Sequence, residues 1–540
     1  MTKTINRLSL WGTGLRAGLA AVAAAVMFGT GGLALAQEPT PPPVTEAPAA
    51  APEAAPEAAA PADAPVVEEA VAVEEAAAPT GEIAAPEATV DKGDDTWMMV
   101  STVLVLIMIL PGLALFYGGL VRTKNMLSVL MQVSTVTVIG MLLWVTVGYS
   151  LAFTDGGDLN SFVGGTARFF LNDVVDGTVT DLSDNLAATF STGIYIHEII
   201  FVCFQMTFAC ITAALVLGGL AERVKFIGIV IFAIVWPLLV YYPLAHMVWF
   251  WPGPDLVAAH PADPIRAGFI WSKGALDFAG GTVVHINAGI AALMGCIVLG
   301  KRTGYKKESM PPHSLTMTMI GTGLLWFGWF GFNAGSNLES NYYAGLAMMN
   351  TFVATAAAGF SWMIVEMVTR RKASLLGMCS GIVAGLVAVT PAAGFIGPMG
   401  AIILGLIVSP VCFIFCSVIK NMLGYDDSLD VFGIHGVGGI IGALGTGILV
   451  NPALGGAGVV DYVGCSADGA VLGTCPVATY DFATQMIAQG TGVVVTLLWS
   501  GVISLVIWLA LRVLGLLRVK QDVEEEGLDI NEHGEVAYHP

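Results

Sequence analysis

The chain has 540 residues, of which 56% are hydrophobic and only 12% charged, about half the charged share of an average soluble domain. Its mean hydropathy of +0.77 excludes an ordinary water-soluble globule. The net charge is −19, and no nucleic-acid partner is expected. Apolar runs of about 20 residues, the length that crosses a hydrocarbon core, recur from Trp97 to Val513. The lipid bilayer is the expected solvent of a single all-α polytopic domain.

Residues 1–36 read as a cleaved signal peptide. Lys3, Arg7 and Arg16 precede the apolar stretch 17–35, which closes on the small-residue pattern of Ala34, Leu35 and Ala36. Cleavage places Gln37 outside the cytoplasm. Residues 37–95 are rich in Ala, Pro and Glu, with fourteen acids against the single base Lys92, so thirteen of the nineteen net negative charges lie here. Such a segment cannot bury enough apolar surface to offset its ordering entropy, and a disordered periplasmic extension is expected.

Eleven transmembrane helices follow, at 97–120, 126–153, 194–219, 226–251, 275–299, 314–335, 344–368, 374–396, 398–419, 430–451 and 484–513. An odd number puts the two ends on opposite sides. The loops on the side of the C-terminus, together with the tail, collect fifteen Lys and Arg, among them Arg122, Arg223, Arg302, Arg371 and Lys420, while Lys92, Arg168, Arg266 and Lys273 lie on the other side. Positive charge gathers in short cytoplasmic loops. A multi-pass protein of the bacterial cell inner membrane is expected, N-out and C-in, with a channel domain over 96–515 and a cytoplasmic regulatory tail over 516–540.

Superposing the fifth and tenth spans on their histidines matches His285 with His435, Gly289 with Gly439, Ile290 with Ile440 and Gly295 with Gly445. An acid stands at the start of each, Asp277 and Asp430. Spans five apart enter the membrane from opposite sides, so the pattern predicts two inverted five-helix repeats plus a final helix, with the functional site where the repeats meet.

A histidine within a membrane span is costly without a polar partner or a wet cavity. Two at related depths can hydrogen-bond to each other, sharing at most one proton, and leave a nitrogen free for a ligand or a proton relay. Without Cys or further acids nearby they are a poor metal site, and no cofactor is expected. Near the outer end of the sixth span, residues 328–336 carry aromatic rings, small residues and the hydroxyl of Ser336, and the fourth span ends on Trp249 on the same side. Aromatic faces attract cations, although Trp249, Trp251 and Trp271 also fit an interfacial belt. The chain shows no nucleophile or metal cluster of an enzyme.

The stretch DFAGGTVVHINAG at 277–289 resembles the signature of the ammonium transporter (Amt/Mep/Rh) family. It is joined by PGLALFYGG at 111–119, FACITAALVLGGLAER at 208–223, GWFGFNAGS at 328–336, SLLGMCSGIVAGLVAVTPAAG at 374–394 and DVFGIHGVGG at 430–439. The tail over 526–534 is similar to the bacterial Amt branch. The resemblance implies a channel for ammonium or ammonia, assembled as a homotrimer, with a PII-type signalling protein as a cytoplasmic partner. It implies that Trp249 and Ser336 shape an outer cation site, with Phe208 and Phe332 as a gate beneath. His285 and His435 are then the twin pore histidines, and Asp277 supports the outer vestibule. Phe204, Gln205, Trp329, Tyr117 and Thr390 match positions around the pore. The chain departs from the family pattern in its acidic extension and in expanded loops at 251–273 and 452–481.

Six cysteines lie within spans and read as small apolar residues. Cys465 and Cys475 share one extracytoplasmic loop, where a disulfide is expected in an oxidising compartment. A membrane ammonium sensor signalling through its tail is the alternative to transport. Only about 25 residues follow Gly515, too few for a separate signalling domain.

Overall fold

The computed structural model describes residues 89–175, 185–260, 264–464 and 475–538. The expected signal peptide at 1–36, residues 37–88 of the acidic extension, and Cys465 lie outside these residues.

Eleven helices form the body. They are α1 (Lys92–Leu120), α2 (Thr123–Phe153), α3 (Glu198–Leu220), α4 (Phe226–Trp249), α5 (Gly281–Leu299), α6 (Leu315–Gly335), α7 (Tyr342–Arg370), α8 (Leu375–Val389), α9 (Pro398–Leu423), α10 (Phe432–Leu449) and α11 (Phe482–Val513). Among the described residues, all but α8 are long and apolar enough to cross a membrane. With 15 residues, α8 reaches only about 22 Å at the α-helical rise. The expected span at 374–396 is thus helical in part. Pro391 has no N–H to continue the helical ladder, and the chain continues in turns to residue 396.

The body also begins earlier than the expected boundary at residue 96. Asp91 caps α1 by accepting from the Gly93 N–H, and Thr89–Val90 forms strand β1. This strand pairs in parallel with β3 (Ile194–His197), which pairs antiparallel with β2 (Leu186–Ala188). Residues 89–95 are therefore part of the folded body and not of a disordered extension.

Prolines and wide helical turns shape the interior. At Leu110, φ −122° and ψ 100° interrupt α1 just before Pro111, where the ring excludes the normal helical hydrogen bond. Five-residue-per-bond π-turns follow at 144–148 in α2, 237–241 in α4 and 415–419 in α9. Two more open the helices that carry the paired histidines: Gly281–Ile286 in α5 and Phe432–Gly436 in α10.

Those two helices cross reciprocally. The opening turn of α5 packs on the body of α10, and the opening turn of α10 packs on the body of α5. A methyl on Gly289 would overlap Gly436, and a methyl on Gly439 would press on Ile286. Residues 289 and 439, like 286 and 436, stand 150 apart, the same offset that separates His285 from His435. One contact maps onto the other, as an inverted repeat requires. Helix α11 lies along both, with Trp508 Nε1 donating to the Ala291 carbonyl and Gln489 Nε2 donating to that of Ala443.

The two ends of the bundle differ in chemistry. One end carries Trp249, Trp251 and Trp271 around a vestibule. The other carries the basic loops, clamped by buried ion pairs. Arg302 bridges Glu222 at 2.9 Å and Asp426 at 2.9 Å, while Arg122 pairs with Glu222 at 3.0 Å. The fully buried Arg223 donates to the carbonyls of Ala221, Gly300 and Asp426. The tail closes over this end. Glu524 accepts from Thr303 N–H, Asp529 from the Leu127 and Ser128 N–H groups, and Glu532 from Phe226 N–H. Carboxylates at the unpaired amides of α2 and α4 meet both the hydrogen-bond need and the dipole of a helix start.

Candidate functional site

The histidine pair sits at the crossing of α5 and α10. His285 is 1% and His435 6% exposed, and their Nδ1 atoms face each other at 3.2 Å. One imidazole must donate and the other accept, so two cationic rings with four N–H groups cannot share this contact. Nε2 of His285 is buried with no protein partner. The rings stack at 5.3 Å between centroids. Each histidine lies within a π-turn, a recurring device at functional sites.

A line of rings leads from the histidines to the aromatic end. Trp329 stacks on His285 at 5.5 Å and is fixed by its Nε1 donating to the Thr390 hydroxyl at 2.9 Å. Phe332 stands 6.0 Å from His285 and stacks on Phe208 at 4.3 Å. Phe208 is edge-on to Phe204 at 4.9 Å and to Trp249 at 5.9 Å. Phe332 and both histidines, together with Leu113, Phe116, Ile211, Leu215 and Val383, wall a cavity of about 10 Å³. A space of that size is at or below the limit for one water molecule.

Above Phe208 and Phe332 the vestibule opens to about 680 Å³. Trp249, Ser336, Gln205 and Asp277 all line it. Trp249 is anchored by Nε1 donating to the Asp277 carbonyl at 3.0 Å, and the Ser336 hydroxyl donates to the Phe332 carbonyl at 2.8 Å. The Asp277 carboxylate accepts the backbone N–H groups of Gly280, Gly281, Thr282 and Val283 and the Thr282 hydroxyl. It thus caps the very turn that carries His285.

Tyr117 lies apart from the line of rings. It is buried with its hydroxyl donating to the Leu215 carbonyl at 2.8 Å, against Gly218 toward the basic end. Cys475 is disulfide-bonded, and its expected partner Cys465 lies outside the described residues. The six cysteines of the spans are free thiols.

The acid matched to Asp277 by sequence was the wrong one. Asp430 has φ +60° and pairs with Lys420. Asp427, 1% exposed, accepts from the Val431 and Phe432 N–H groups at 3.1 and 2.8 Å, and so caps the turn that carries His435. Adding the 150-residue offset of the histidines to position 277 gives 427, so the signal was present in the spacing. Asp430 sits nearer the start of the helix, but its left-handed backbone turns the carboxylate away from the amides.

Comparison with known proteins agrees with this geometry. Residues 96–538 match the Ammonium Transporter Family. The chain is 42% identical over 454 residues to an ammonium transporter of Aquifex aeolicus, covering 84% of this chain and 95% of that protein. An ammonium transporter of Bacillus subtilis is 40% identical over 446 residues, covering 83% and 98% of the two chains. Among solved structures, Saccharomyces cerevisiae Mep2 aligns with a TM-score of 0.64 and 30% identity over 80% of this chain and 90% of that one. A protein described as a sensor Amt protein aligns with a TM-score of 0.67 and 28% identity over 82% and 98%. Together with the buried histidine pair and the ring-lined approach to it, these likenesses establish that the chain belongs to the ammonium transporter family.

Proposed function

We propose that ammonium enters at the aromatic vestibule, gives up a proton near the Phe208 and Phe332 stack, and crosses the histidine segment as ammonia. The observation that carries this reading is the unbroken line from Trp249 through Phe208 and Phe332 to the 3.2 Å His285 and His435 contact. Trp249 offers a ring face and Ser336 a hydroxyl oxygen to a cation in the vestibule. Beyond the stacked rings the walls are apolar and the space is about 10 Å³. Placing a bare cation there costs on the order of 20 kcal/mol in the idealised limit, whereas neutral ammonia needs only a hydrogen-bond partner. The histidine nitrogens supply that partner and a route for the proton. Ammonium-evoked current and ammonia flux, measured together in proteoliposomes, test the reading: flux of ammonia with neither proton nor charge movement, or loss of selectivity for ammonium over potassium in the native protein, would overturn it.

The distribution of basic residues supports an N-out, C-in placement in a bacterial inner membrane, with the vestibule periplasmic. Likeness to the family supports a homotrimer with one pore per subunit. The tail, seated across the loops beside Lys124, Phe226 and Thr303, supports the reading of a PII-type partner at the cytoplasmic end. Pull-down with the full chain and with a truncation at Val523 tests this, and binding by neither form removes the partner. The same seated tail, with the likeness to a sensor Amt protein, favours signalling as a second role.

A further inference from the structure

The vestibule is far larger than its proposed substrate requires. Ammonium is about the size of a water molecule, whose share of liquid volume is about 30 Å³, whereas the vestibule holds about 680 Å³. That volume is typical of a site for a molecule of tens of atoms. Its outer wall is a stack of rings. Trp251 lies nearly parallel to Phe190 at 6.1 Å and to Trp271 at 5.4 Å, and Tyr462 tilts against it at 4.7 Å. All four line the cavity, so Trp251 and Trp271 face inward and are not explained by a lipid-facing belt. Trp251, Trp271 and Tyr462 belong to the two loops in which the chain departs from the family pattern.

The electrostatics select the sign of an occupant. Among the described residues, Glu198, Asp277, Glu339 and Asp461 line the vestibule against the single base Arg168. Arg168 is spent on Glu198, at 3.1 Å. Glu339 is held by uncharged donors, the Ser191 N–H and hydroxyl and the Asn341 amide, in a cleft whose low-dielectric walls focus the field of its acids. Deeper in, Gln205 is 9% exposed and its Oε1 has no protein partner. A buried acceptor without a donor costs free energy that a bound N–H group recovers.

We propose that the vestibule is a binding site for organic ammonium ions with an apolar body, the charged head directed inward to Gln205 and the body lying on the Trp251 ring stack. The head's position rests in part on the outer site described above. Behind Trp249 the Phe208 and Phe332 rings stack at 4.3 Å and leave no passage for such a body, so the ligand is held and not passed. It blocks ammonium entry from the vestibule side.

The test uses the full chain in proteoliposomes and the n-alkylammonium series from propyl to hexyl as inhibitors of ammonium uptake. Ammonium uptake without inhibitor reports the transport reading by itself. Inhibition is expected to strengthen roughly two- to fourfold for each added methylene, and to weaken at least tenfold for hexylammonium in Trp251→Ala and in Tyr462→Ala, with uninhibited uptake retained in both. Calorimetric titration of the detergent-solubilised protein with hexylammonium is expected to show binding that either substitution weakens. Inhibition equal in the native and substituted proteins points to an effect on the lipid and overturns the proposal. So does inhibition independent of chain length, or absence of binding and of inhibition in the native protein while uptake is normal.

Discussion

Gly289 lies so close to Gly436 that no methyl group fits between them, and this glycine contact sets the separation of the two helices four residues from His285 and one residue from His435. The 3.2 Å histidine contact depends on it. Gly289→Ala forces the helices apart and is expected to destabilise the protein by about 1–3 kcal/mol, the usual cost of an extra methyl in a packed interior. Ammonium flux should fall more steeply than thermal stability. Full flux in a protein that retains its native unfolding temperature would show that the crossing tolerates a wider gap.

His285→Ala and His435→Ala are each expected to abolish selective ammonium conduction while leaving a folded protein. Each removes one partner of a buried hydrogen bond and leaves space for water beside the other ring. Current and flux recorded for ammonium and potassium in liposomes check this. Unchanged selectivity in both variants removes the histidines from the pore.

Trp249→Leu is expected to weaken uptake chiefly at limiting ammonium. Loss of the ring removes roughly 1–2 kcal/mol of cation attraction, an increase of about five- to thirtyfold in the half-saturating concentration. The maximal rate should change much less. Uptake unchanged at low ammonium would confine Trp249 to its packing against Phe208 and its hydrogen bond to Asp277.

The correction from Asp430 to Asp427 has its own measurement. Asp427→Ala leaves the buried Val431 and Phe432 N–H groups unpaired and should cost about 1–3 kcal/mol, read as a fall in unfolding temperature in detergent. Asp430→Asn keeps a residue tolerated at positive φ, disturbs the pair with Lys420, whose side chains are 17% and 37% exposed, and leaves both capped N–H groups in place, so a smaller loss is expected. Equal losses in the two variants would contradict the assignment of the cap.

The clamp at the basic end predicts an acid limit. Burial pushes the Glu222 carboxyl up, but Arg302 and Arg122 outweigh it and leave the group below its ordinary value of 4.5. A depressed carboxyl contributes stability that is fully present above its unfolded value and is lost as pH falls through the folded value. The native protein should therefore lose stability progressively below about pH 4.5, the ordinary value of the free carboxyl. Glu222→Gln leaves two buried guanidinium groups undercompensated, costs about 3–5 kcal/mol at neutral pH, and should show a weaker dependence in that window. Parallel acid unfolding curves of the two proteins would exclude Glu222 as a contributor.

Hydrophobic length and charge bias alone predicted eleven spans and a proposed direction for them, because a bilayer allows few ways to satisfy a backbone and the bases gather in short loops. The pairing of His285 with His435 was legible for a similar reason: both lie in glycine-rich spans with a common offset of 150. The same offset carries Asp277 onto Asp427, and the tertiary structure shows Asp427 capping the turn of His435 while Asp430, at positive φ, pairs with Lys420. That structure alone separated Tyr117 from the line of rings, turned Trp251 and Trp271 into the vestibule, and joined Glu222, Arg302 and Asp426 across three loops. The Tyr117 and Glu222 relations are set by contacts between segments roughly 80 to 125 residues apart, and packing between distant segments leaves no periodic mark in either one.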